Sequence, residues 1–305
     1  MSTGRAAPVA PAHAWLLAAR PATLPAAAVP VLVGAAAAVS EGARFRPLVF
    51  AATLACALLI QIGTNVANDY SDFHRGADHE GRLGPVRVTQ SGLISQADVR
   101  RGIVVAFGLA VLLGGALAWI GGWPIIAIGL LSLLSGLAYT GGPYPLGYHG
   151  LGDLFVFAFF GLVAVSGTAY LQGGSWSGFA LLLSVPVGLL VTNILVVNNL
   201  RDLSTDRAAG KRTLAVRIGD RATRLQYAIF TAVAYLVPST LAFTDQSRRW
   251  LLLPLVTLPI AVGLVRRVLG GRAGRELNPT LEQTGKLLLL FGALLALALL
   301  LGRGR

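Results

Sequence analysis

The chain has 305 residues, 55% of them hydrophobic and only 12% charged, where soluble domains carry about 25% charged residues. That leaves too little polar surface for a water-exposed globule, and apolar segments fill nearly the whole length, so a separate soluble domain is excluded. The formal charge of +12 does not indicate nucleic acid, because the arginines sit in short loops between apolar runs, the distribution that orients a membrane protein.

A spanning helix needs about 20 apolar residues. Nine segments qualify, roughly 22–40, 48–68, 102–120, 123–140, 151–172, 177–198, 222–243, 250–266 and 285–302. The fold class expected is therefore all-α, a polytopic bundle of about nine transmembrane helices around a central cavity. It forms one integral membrane domain over residues 1–305, with 1–19 as an N-terminal cytoplasmic segment. Arg20 and Pro21 interrupt the first apolar stretch, and the run after them is long enough to span, so a retained helix is expected there rather than a leader. Pro25, Pro30, Pro186, Pro238, Pro254 and Pro259 fall within spans, where neighbouring helices can satisfy the freed backbone groups. Cys56 is the single cysteine, so intramolecular disulfides are excluded.

Placing the N-terminus and the loops after the second, fourth, sixth and eighth spans on one side collects 19 of the 25 Lys and Arg residues there. The other side keeps Arg44, Arg46, Arg248, Arg249, Arg303 and Arg305. By the positive-inside rule the rich side is cytoplasmic.

The loops after the second and sixth spans hold most of the acids. The first region reads N65-V-A-N-D-Y-S-D-F-H-R-G-A-D78, and the second N198-N-L-R-D-L-S-T-D-R-A-A-G-K-R-T-L-A-V-R217. Each contains Asn-x-x-x-Asp: Asn68 with Asp72, and Asn198 with Asp202, the latter continuing to Asp206. Residues four apart share a helix face, so each motif presents a column of oxygen donors at a helix end. Clustered carboxylates near hydrocarbon need a compensating cation. Oxygen donors suit Mg²⁺, which is commonly held by one or two carboxylates together with substrate phosphates. Two such columns facing each other would hold a diphosphate, with Arg75, Arg82, Arg87, Arg201, Arg207, Lys211 and Arg212 available to its remaining oxygens.

Between the fourth and fifth spans, Tyr139-T-G-G-P-Y-P-L-G-Y-H-G-L-G-D153 has no Lys or Arg but three tyrosines and an acid entering the next helix. It suits a lip over an aromatic substrate, with Tyr139, Tyr148 and Asp153 as candidates. Arg20, at the end of the first span, either holds an acceptor carboxylate or anchors the helix. A transporter would carry polar residues near the midplane, whereas here the helix centres are almost purely apolar.

These motifs resemble the UbiA superfamily of intramembrane prenyltransferases. The match is closest to the branch acting on 1,4-dihydroxy-2-naphthoate, on N68-D-Y-S-D-F-H-R-G-A-D78, R82-L-G-P-V-R-V-T-Q-S-G92, Y139 through D153 and the string from Asn198 to Arg217. The resemblance implies an Mg²⁺-dependent transfer of an isoprenyl chain from polyprenyl diphosphate to that acceptor. Carbon dioxide is lost and demethylmenaquinone is formed at the cytoplasmic side of the cell membrane, in contact with lipid. It also implies that Asn68, Asp72, Asn198, Asp202 and Asp206 hold metal and diphosphate, with Asp69 and Asp78 as further acids. Asp78 lies six residues after Asp72, where many superfamily members have a spacing of four. Other aromatic acceptors, such as 4-hydroxybenzoate or homogentisate, are the alternatives within the class.

Overall fold

The computed structural model describes residues 10–76 and 83–303, and every regular element among them is helical. The main helices are α1 (Pro11–Ala19), α2 (Pro25–Ser40), α3 (Pro47–His74), α4 (Gln96–Gly121) and α5 (Trp123–Ala138). They continue with α6 (Gly152–Gly173), α7 (Gly178–Arg201), α8 (Leu203–Ala208), α9 (Leu214–Thr244), α10 (Gln246–Leu269) and α11 (Gly274–Leu301). Among the described residues seven of these are long and apolar enough to cross a bilayer: α3, α4, α6, α7, α9, α10 and α11. The pair α1–α2, bent by 53°, is long and apolar enough only when taken together, as a broken span or a re-entrant loop, and α5 is a shorter apolar helix. The nine segments read from the sequence are thereby all helical.

Four boundaries differ from the sequence expectation, each for a local reason. The segment before residue 20 forms α1, started by a proline in its first turn, where the missing N–H costs nothing. Arg20 then takes a left-handed conformation (φ 53°) before Pro21, and this breaks α1 from α2. α3 runs to His74 rather than 68, which puts Asn68, Asp69 and Asp72 on a helix instead of in a loop. α9 starts at Leu214 and is interrupted at Gly219 (φ 84°), so the tail of the second motif is itself a helical turn. In α10 the first part, Gln246–Thr257, is a 3₁₀ coil containing Pro254, which lacks an N–H to donate.

α7 is the axis of the bundle. Of its most apolar stretch 78% is buried, against 17% for α3 and α4, as expected for a helix that is apolar all round. Leu183, Val187, Leu190, Val191 and Val197 pack there with residues of α2, α9 and α11. A second, smaller core forms at the end that carries the acidic motifs, where Ala14 and Ala18 of α1 meet Val66 of α3, Val88, Ile94 and Val99.

Backbones approach closely where small residues permit it. A Cβ on Gly161 of α6 would lie 2.7 Å from the Cα of Gly188 in α7, and one on Gly34 of α2 would overlap the carbonyl oxygen of Val165. Beside the first contact α6 widens into a π-helical stretch, Phe157–Val163, a local feature often found at functional sites. We expect Gly34→Ala to lower stability by about 1–3 kcal/mol through overpacking, read as a lower melting temperature in detergent. Gly263→Ala, with open space around the new methyl, should leave it unchanged or raise it.

Candidate active site

The two acidic motifs meet in one chamber. Asp72, on the last turn of α3, is 3% exposed. Its carboxylate accepts a hydrogen bond from the Tyr148 hydroxyl at 2.9 Å and pairs with Arg87 at 3.4 Å. Tyr148 belongs to the connector between α5 and α6. Lys211 Nζ lies 5.1 Å and the Arg75 guanidinium carbon 5.5 Å from the centre of its ring. Lys211 in turn pairs with Asp206 at 3.8 Å. A single tyrosine therefore separates Asp72 of the first motif from the Lys211–Asp206 pair of the second.

The electrostatics agree. Burial raises the Asp206 carboxyl to about 6; Lys211 opposes this, the charges of Asp202 and Asp72 add to it, and Arg201 opposes it again. Asp202, at the junction of α7 and α8, is held by both arms of the Arg201 guanidinium, Nε to Oδ1 at 2.8 Å and Nη2 to Oδ2 at 2.5 Å. Asn68 Oδ1 accepts from the Thr140 hydroxyl at 2.7 Å.

A cavity of about 180 Å³ is lined by Arg20, Asn68, Arg87, Asn198 and Lys211 among others. A more apolar cavity of about 120 Å³, lined by Ala57, Ile60, Phe155 and Phe159 of α3 and α6, adjoins it. Thr64, Tyr139, Val156 and Phe160 border both, so a polar chamber leads into an apolar channel between helices.

The other predicted residues divide by position. Among the basic ones, Arg87 and Lys211 face the chamber. Arg75 donates to the carbonyls of Thr140, at 3.0 Å, and Gly142, and so clamps the connector. Arg201 is buried against Asn198, Asp202 and Asn278 rather than lining the cavity. The side chain of Arg212 is exposed; its backbone N–H donates to Tyr148 O at 3.0 Å. Arg82 and Asp78 lie outside the described residues. Asp69 accepts the backbone N–H groups of Val88 and Thr89 at 3.2 and 3.0 Å, a position that fastens the Arg87 turn to α3. Asp153 is 7% exposed. One of its oxygens accepts from Gln226 at 2.9 Å, and the other is buried without a partner.

Sequence reasoning missed Gln61, Asn65 and Thr23, which also line the chamber. Gln61, Asn65, Asn68 and Asp72 succeed one another at four, three and four residues, the spacing of one helix face. That polar column within an apolar run was the available signal. Asn65 donates to Ala19 O and Thr23 Oγ1 at 3.0 and 3.1 Å, while Arg20 donates to Asn65 O at 3.3 Å. The bend between α1 and α2 is thus tied to the site.

Asn68, Asp72, Asn198, Asp202 and Asp206 offer oxygen donors only, the set that fits a hard cation such as Mg²⁺. Among the described residues no three His, Cys, Asp or Glu side chains form a preformed metal cage; a site that shares its metal with substrate phosphates needs only one or two carboxylates.

A bent helical bundle with two acidic motifs around one chamber is the architecture of an intramembrane prenyltransferase. The chain belongs to the UbiA prenyltransferase family, whose model matches residues 27–290. It is 41% identical to the 1,4-dihydroxy-2-naphthoate octaprenyltransferase of Mycobacterium tuberculosis, over 95% of this chain and 97% of that one. The Escherichia coli enzyme of the same name is 36% identical, over 95% and 96%. The fold matches a UbiA homolog from Archaeoglobus fulgidus bound to GPP and Mg²⁺, with a TM-score of 0.66 at 14% identity, covering 94% and 99% of the two chains.

Asp206 supplies a pH signature. Its folded value, about 6, lies above the ordinary 3.8, so its protonation contributes stability that is full below about 3.8 and lost as pH rises through about 6. In EDTA the melting temperature of the wild type, relative to Asp206→Asn, should fall between pH 4 and 7. A constant difference would place Asp206 in an ordinary solvated setting.

Proposed function

We propose that this multi-pass membrane prenyltransferase transfers a polyprenyl chain from polyprenyl diphosphate to 1,4-dihydroxy-2-naphthoate. Carbon dioxide and diphosphate are released and the hydroquinone demethylmenaquinol, the reduced form of demethylmenaquinone, is formed. The observation that carries this reading is the single chamber lined by Asn68 of the first motif and Asn198 of the second, with Arg87 paired to Asp72 and Lys211 paired to Asp206 on its wall, adjoining an apolar cavity. The head of a prenyl diphosphate belongs in the first and its tail in the second. Similarity across nearly the full length to enzymes of that name supports the acceptor.

Mg²⁺, held by Asn68, Asp72, Asn198, Asp202 and Asp206 together with the diphosphate, would neutralise charge on the leaving group. Arg87 and Lys211 face the same oxygens, and as fixed cations they stabilise charge that develops while the C–O bond breaks. The electron pair of that bond leaves with the diphosphate, and the allylic carbon becomes cation-like. A ring carbon of the acceptor supplies the pair for the new C–C bond. The carboxyl carbon departs as CO₂ and leaves its bonding pair on the ring. Tyr139, at the junction of chamber and channel, presents an aromatic face that stabilises a cation. The surrounding apolar side chains keep water from it. Arg20, at the bend tied to Asn65 and lining the chamber, would hold the acceptor carboxylate. In the cell membrane the N-terminus and the acidic motifs face the cytoplasm, as the loop charges indicate.

Asp72→Ala and Asp202→Ala should each abolish product formation while the protein still folds. Mass spectrometry of the quinone formed from 1,4-dihydroxy-2-naphthoate and polyprenyl diphosphate at saturating Mg²⁺ checks this, and near-normal turnover by either variant removes that residue from the mechanism. In the same assay 4-hydroxybenzoate and homogentisate should be poor acceptors. Arg20→Met should raise KM for the naphthoate about tenfold, the loss of one charge-assisted hydrogen bond, with KM for the prenyl diphosphate little changed.

A further inference from the structure

Arg201 is one of the largest fully buried side chains in the protein. Its guanidinium is caged on every edge. Nε and Nη2 fork onto both oxygens of Asp202, Nη2 also donates to Asn198 Oδ1 at 2.9 Å, and Nη1 donates to Asn278 Oδ1 at 3.1 Å. Asn278 also donates to the carbonyl of Leu83 at 3.0 Å. A Cβ on Gly84 would stand 2.7 Å from Arg201 Nη2, so the loop leading to Arg87 lies directly on the guanidinium. A buried arginine is costly unless its charge and hydrogen bonds are met, and a planar fork onto a carboxylate meets both.

Two of the five oxygen-donor residues assigned to metal in the proposed function, Asn198 and Asp202, are therefore already committed to a cation that belongs to the chain. Arg87 and Lys211 face the chamber; Arg201 does not line it. We infer that Arg201 is an internal counter-cation of the second acidic motif, which a divalent metal must displace or share, so that the metal binds well only when it arrives with a diphosphate. The motif is then kept neutral and ordered between turnovers, and idle metal binding is suppressed. A partner charge within a few ångströms shifts a carboxylate equilibrium by about 1–3 units, and the same competition bears on a metal ion seeking those oxygens.

This inference rests on the metal reading above, and the test separates the two. Binding of Mn²⁺ to the full chain in detergent would be measured by electron paramagnetic resonance, without and with inorganic pyrophosphate. Arg201→Gln should bind Mn²⁺ alone at least about tenfold more tightly than the wild type, since the competing charge is gone. In EDTA its melting temperature should fall below that of the wild type, and Mn²⁺ should restore more of it. Where Arg201→Gln does not fold, Arg201→Lys keeps the charge but loses the fork, and should shift Mn²⁺ affinity the same way by less. Wild-type binding that needs pyrophosphate, with no gain in either variant or a loss of Mn²⁺–pyrophosphate affinity only, would make Arg201 a diphosphate ligand and overturn the inference alone. A wild type that binds no Mn²⁺ even with pyrophosphate would remove the metal reading and this inference with it.

Discussion

Everything in this protein depends on carrying carboxylates to the edge of a hydrocarbon layer without leaving them bare. An uncompensated carboxylate there costs several kcal/mol, yet Asp69, Asp72 and Asp153 are all buried and Asp202 and Asp206 nearly so. Each has a different partner. Asp69 takes two backbone amides, Asp72 a phenol and a guanidinium, Asp202 a fork, Asp206 a lysine, and Asp153 a carboxamide on one oxygen only. The partners come from the 83–92 loop, the α5–α6 connector, α7, the 209–213 turn and α9. Satisfying the acids is thus also what draws the loops at this end of the bundle together, and the site and the local fold are held by the same bonds.

This explains how legible the sequence was. The spans could be read because hydrocarbon thickness sets a length that composition reports directly. The two Asn-x-x-x-Asp motifs could be read because four-residue spacing has a meaning on a helix before any tertiary contact exists. The roles of individual arginines could not be read. Arg75, Arg87, Arg201 and Arg212 all stand within or beside the motifs, and nothing local distinguishes the one that faces the chamber from the one that clamps a carbonyl. That distinction is made by Thr140, Gly142, Gly84 and Asn278, residues remote in sequence. Asp69 and Asp72 are three apart and so neighbours on one helix face; both meet the 87–89 turn, Asp69 through the amides of Val88 and Thr89 and Asp72 through the Arg87 guanidinium, contacts that no local pattern announces.

The bends belong to the same design. A break between α1 and α2 places Arg20 against α3 at Asn65. The interruption at Gly219 lets the tail of the second motif turn away before the span begins. Arg20 with its positive φ, followed by Pro21, marks the first bend and Gly219 the second, while α7, a wall of the chamber, stays helical through Pro186.

The chamber also shows why a tyrosine rather than another cation sits between the motifs. An arginine at Tyr148 would neutralise Asp72 as well as Arg87 does, but it would add a third fixed charge beside Lys211 and Arg75 and repel both. A phenol donates one hydrogen bond to Asp72 and offers its faces to the two cations, linking the motifs without adding charge. Arg20, Arg87 and Lys211 are the basic side chains that line the chamber among the described residues, and the phenol adds no charge to them. In the proposed reaction a diphosphate entering there would meet these cations and a set of oxygen donors, a division of labour between fixed charge and metal.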